Sequence, residues 1–98
     1  MEYEQLGQEY RDDHLAEAMY AREQEWFHYD FDRINFERML TVLPDGPYKQ
    51  DIAQRLTDTR SRLQAVDLVY AALKSQIVDA GAHQRAVERA KAKREAKK

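Results

Sequence analysis

Residues 23–43 read EQEWFHYDFDRINFERMLTVL, and this stretch decides the fold. Five of its residues are aromatic (Trp26, Phe27, Tyr29, Phe31 and Phe36), and neither Gly nor Pro interrupts it. A continuous helix follows, because nothing in the run removes a backbone donor or loosens the chain. At about 100° per residue the apolar side chains fall into two stripes. Phe27, Phe31, Ile34 and Val42 share one side, while Trp26, Tyr29, Phe36, Leu40 and Leu43 lie roughly opposite. A helix packed on one neighbour needs one stripe, so the second predicts a further contact, with another helix or another chain.

C-terminal to this run comes Leu43-Pro44-Asp45-Gly46-Pro47-Tyr48. Pro44 disfavours helix at Leu43, and Pro47 suits the first position of a new helix, so residues 44–47 read as the turn of an αα-hairpin. Beyond it, Ile52, Leu56, Thr59, Leu63, Val66, Tyr70, Leu73, Ile77 and Ala80 recur in alternating steps of four and three. That is the repeat of a coiled-coil seam. Helix two is expected over about 47–80, closed by Gly81 in the left-handed C′ position.

N-terminal to the run the helical pattern holds back to Asp12, with Asp12 and Asp13 as N-cap or first-turn acids, so helix one is expected over about 12–43. Gly7 leaves residues 1–11 undecided between helix and fold-back. At the other end, residues 82–98 are Ala, Lys, Arg and Glu with one large aliphatic residue, Val87. High helix propensity with almost nothing to bury predicts a solvated helix or a frayed basic tail.

Composition agrees with long amphipathic helices: 35% charged, 43% hydrophobic, three Gly and two Pro in 98 residues. The expected architecture is therefore all-α: a long antiparallel, coiled-coil-like helical hairpin over residues 1–81, followed by the basic tail 82–98. Two helices in contact bury one seam each, too little for a self-sufficient core in a chain this small. The second stripe of helix one, together with Leu68, Val69, Ala72 and Val78, predicts either a homodimeric four-helix bundle or docking on a larger partner.

Charge is graded along the chain. Residues 1–43 carry eleven acids and four bases, and residues 82–98 carry seven bases and two acids. Such asymmetry bears on partners, not on fold. The absence of Cys removes disulfides, thiol nucleophiles and Cys-based zinc sites from consideration. The N-terminus lacks the pattern of a secretory signal, and no apolar run reaches membrane-spanning length, so a cytoplasmic protein without a membrane contact is expected.

Three candidate sites follow. Trp26, Tyr29, Phe36 and Leu40 form an aromatic face on helix one suited to anchoring a protein partner, since Trp and Tyr dominate interface energetics. Arg85, Arg89, Lys91, Lys93 and Arg94 in the tail could contact nucleic-acid phosphates, although no interleaved aromatics or recognition motif accompany them. Glu25 and His28 have the Glu-x-x-His spacing of di-iron carboxylate bundles. Helix two offers no Glu to complete such a site, so the expectation is no metal and no cofactor. There is no phosphate-binding loop, nucleophile motif or H-E-x-x-H, which argues against an enzyme.

The reading that accounts for most of this is a non-enzymatic helical interaction module, a small adaptor or inhibitor that binds a larger protein through the aromatic face of helix one. Two alternatives stand beside it. One is a modulator of a nucleic-acid-processing enzyme, of the kind phages and mobile elements encode, working through its acidic arm or basic tail. The other is a ferritin-like half-bundle that carries Glu25 and His28 into a dimer.

Overall fold

The computed structural model describes residues 2–96, with side chains from residue 7 onward, and is all-helical over that range. Helix α1 spans Glu2–Val42, α2 spans Pro47–Gln76 and α3 spans Gly81–Ala96. These form two compact units. One is the hairpin tip, Gln24–Leu68; the other joins α1 up to Glu23 with the chain from Val69 onward.

In the hairpin tip the turn falls where the prolines place it. Pro44 ends α1, and Pro47 opens α2 at a position whose missing N–H costs nothing. Gly46 between them adopts φ 155°, a backbone region costly for any residue with a Cβ, and its carbonyl accepts the Gln50 N–H that begins α2. The first five positions of the α2 seam, Ile52, Leu56, Thr59, Leu63 and Val66, are buried as the periodicity predicts, whereas Tyr70, Leu73 and Ile77 further on are half-buried and Ala80 is exposed. Helix α1 answers with Trp26, Tyr29, Phe36 and Leu40, and the turn with Leu43, each half-buried.

Polar contacts tie the same two helices together. The Arg33 guanidinium bonds Asp30 at 2.8 Å and Glu37 at 3.0 Å, and Arg60 reaches Glu37 from α2 at 3.0 Å. Arg60 first, then Arg33, hold the Glu37 carboxyl below the usual carboxylate range. Arg62 lies over the Tyr29 ring at 5.8 Å from its centroid.

The second unit departs from the sequence expectation in three places. Helix α1 starts at Glu2 and passes through Gly7, so Asp12 is not its N-cap. Helix α2 stops at Gln76 instead of running to about residue 80, because Asp12 captures the backbone donors that would have continued it. The Asp12 carboxylate, 1% exposed, accepts N–H groups from Val78 at 3.2 Å and Asp79 at 2.8 Å, plus the Gln8 amide at 2.9 Å.

Gly81, expected to close α2 in left-handed backbone, instead opens α3, and no positive φ occurs there. Asp79 caps that helix by accepting the Gly81 N–H at 2.9 Å through its side chain and the Ala82 N–H at 3.1 Å through its carbonyl.

The tail is also more than a solvated appendage. Residues 81–96 form α3, and its small side chains permit a close approach: Ala82 and Ala86 bury against Ala16 of α1, with Ile77 packed beside them. Ion pairs flank this alanine contact. Arg85 bridges Asp13 at 3.1 Å and Asp79 at 2.9 Å, and Arg89 lies 3.3 Å from Glu17.

Candidate protein-docking face

The two stripes of helix one have different fates. Trp26, Tyr29, Phe36 and Leu40, the side expected to anchor a partner, are half-buried within the hairpin tip. The opposite side remains outside: Phe27 is 62% exposed, Phe31 65%, and Ile34 and Val42 are exposed as well. The large apolar side chains left exposed on this stretch of α1 are therefore those of the other stripe. Sequence periodicity identifies both sides, and the choice of the Trp26 side as the anchoring face rests on its Trp and Tyr alone. The observed orientation comes from Tyr29 under Arg62 and Glu37 against Arg60, which turn that side of α1 toward α2.

Phe27, Phe31 and Ile34 stand at i, i+4 and i+7 on one helix, the spacing with which a helix presents anchors to an apolar groove. Phe27 makes an edge contact with Trp26 at 5.5 Å between centroids, and Gln24, His28, Arg38 and Thr41 border the face, all exposed. The nearby charges Asp30, Arg33, Glu37 and Arg60 are satisfied by one another. A partner meeting the Phe stripe thus encounters apolar surface with one exposed cation, Arg38, set in it.

The remaining candidates are placed as follows. His28 pairs at 3.7 Å with Asp32, one turn on, and its side chain is 71% exposed. Glu25 is half-buried. Among the described residues no group of three or more His, Asp or Glu side chains is gathered to hold a metal ion. Of the five candidate cations in the tail, Arg85 and Arg89 are engaged with Asp13, Asp79 and Glu17, whereas Lys91, Lys93 and Arg94 are exposed. The acidic arm and the basic tail thus neutralise each other in part; the side chains of Glu2 and Glu4 lie outside the described residues. No described helix is long and apolar enough to cross a membrane.

One cluster gave no sequence signal. Glu23, Tyr70 and His83 come from three different helices, far apart along the chain, and meet at a single carboxylate oxygen. A search of protein-family models, curated proteins and solved structures finds no match to this chain.

Proposed function

We propose that the protein acts by contact, as a helical interaction module of adaptor or inhibitor type that associates through the Phe27–Phe31–Ile34 face of α1. One observation carries this reading: two phenylalanines, more than half exposed, sit one turn apart on a helix whose other apolar side is already occupied. Exposed aromatics spaced as anchors are the usual mark of an association surface.

The first occupant to consider is a second copy of the chain. The described core holds eight buried hydrophobic residues, three of them alanine, which is thin for 98 residues. Pairing two Phe stripes about a two-fold axis would build a four-helix bundle and supply the missing burial. The nucleic-acid reading has less support, because Arg85 and Arg89 are held in intramolecular ion pairs.

The test is sedimentation velocity on the full chain and on a Phe27→Ser/Phe31→Ser variant. The expected result is a wild-type dimer that becomes monomeric in the variant, with helical circular dichroism unchanged because both positions are exposed. If the wild type is monomeric, capture of a host protein that is lost in the same variant supports the larger-partner form. A monomer whose captured partners are indifferent to both substitutions overturns the proposal.

A further inference from the structure

A cleft of about 400 Å³ opens where α2 gives way to α3, in the unit built from the two ends of the chain. Met19, Ile77 and Val78 form its apolar wall, and Tyr70, Lys74 and His83 are its polar groups. That size lies at the small end of the range for specific ligand sites.

Two of the polar groups are fixed from behind. Tyr70 donates its hydroxyl to Glu23 Oε1 at 2.9 Å, and His83 Nε2 meets the same oxygen at 2.7 Å. One carboxylate on α1 therefore orients a phenol on α2 and an imidazole on α3. Burial, then the hydrogen bond to Glu23 and its charge, push the Tyr70 hydroxyl above its ordinary pKa, so it stays a protonated donor to Glu23.

Lys74 differs from its neighbours. It is exposed, and its ammonium makes no hydrogen bond or ion pair with any described residue. It is also the one permanently charged group among the described lining residues; the nearest acid, Glu23, stands behind Tyr70 and His83 and is occupied by them. An apolar wall with one unmatched cation at its mouth suits a ligand with a hydrocarbon body and a single anionic end.

We propose that this cleft is a binding site for a small monoanionic amphiphile, a medium-chain carboxylate, whose hydrocarbon lies on Met19, Ile77 and Val78 and whose carboxylate pairs with Lys74 Nζ. None of these residues belongs to the Phe27–Phe31–Ile34 face, so the site stands or falls independently of the docking reading.

The test titrates octanoate, and separately octanol, into the isotope-labelled full chain while methyl NMR signals are followed. Octanoate is expected to give saturable shifts of Met19, Ile77 and Val78. Octanol should bind ~10-fold more weakly. Lys74→Glu, a change at an exposed position, should weaken octanoate by a similar factor and leave octanol unaffected. The proposal is overturned by shifts centred on the methyls of Ile34 and Val42, on the Phe stripe of α1, by equal affinity for the two probes, by indifference of octanoate to Lys74→Glu, or by no saturable shift at all.

Discussion

The carboxylate of Asp12 accepts the backbone N–H of Asp79 at 2.8 Å, and the same group takes the Val78 N–H at 3.2 Å. An acid in the interior of α1 thus performs the work of a cap at the junction of α2 and α3. Backbone donors freed by ending α2 at Gln76 would otherwise lack a partner within the fold. Asp12→Asn replaces one acceptor oxygen with a donor amide and leaves one of the two N–H groups unmatched. The expected result is a fall in Tm of roughly 5–15 °C. Faster hydrogen exchange at Ala82 and Ala86 should accompany it, as α3 loosens from α1. Unchanged exchange there would show that α3 is held without Asp12.

Acid sensitivity follows from the same group and two others. Burial pushes the Asp12 carboxyl up, but bonds from Asp79, Val78 and Gln8 together outweigh it and leave it below its ordinary value. Asp79 is held low by the Gly81 N–H and then by Arg85, and Glu37 by Arg60 and then Arg33. A carboxylate depressed in the folded state stabilises it above the unfolded value, and that stabilisation disappears as pH falls through the folded one. Urea midpoints are therefore expected to be flat near neutrality and to drop below about pH 4. In Asp12→Asn the drop should be shallower; an acid limb of identical depth would remove Asp12 from the account.

Thr59 is the polar interruption in an otherwise apolar seam, and it is buried. Its hydroxyl makes no hydrogen bond to a described residue, and its oxygen keeps contact with solvent. Replacing it with the isosteric Val keeps the shape and removes the polar interruption of the seam, so Thr59→Val should gain up to about 1 kcal/mol in urea unfolding. Leu56→Ala and Leu63→Ala, at neighbouring buried seam positions, should each lose about 2–5 kcal/mol. Loss of stability in Thr59→Val would mean that the hydroxyl has a partner at this seam.

The hairpin tip was legible because its signals are local and strong: two prolines around Asp45-Gly46, and a seam in steps of four and three. The choice between the two stripes of α1 was not, since helical periodicity is blind to which side the neighbour takes. What settled it were pairings across the hairpin, Arg60 with Glu37 and Arg62 over Tyr29. The end of α2 was misread for a related reason. Gly81 beside Asp79 resembles a helix stop, yet the deciding group, Asp12, lies in another helix, and no window along the chain contains both. The scarcity of large aliphatics in the tail does not reveal its alanine contacts, where smallness is what lets two helices approach.

That alanine contact supports a last prediction. Ala16 and Ala82 are fully buried and Ala86 is 3% exposed, so the space between α1 and α3 leaves no room for a larger side chain. Ala86→Leu must push the helices apart or force a strained rotamer, at a cost of about 1–3 kcal/mol. Separation would also lengthen the bridges from Arg85 to Asp13 and from Arg89 to Glu17, which flank the contact. Ala92→Leu places the same side chain at an exposed position of α3 and should change stability by no more than about 0.5 kcal/mol. Chemical denaturation of the two variants makes the comparison. Equal effects would show that α3 does not pack through Ala86, whereas a loss confined to Ala86→Leu would locate the contact on that face.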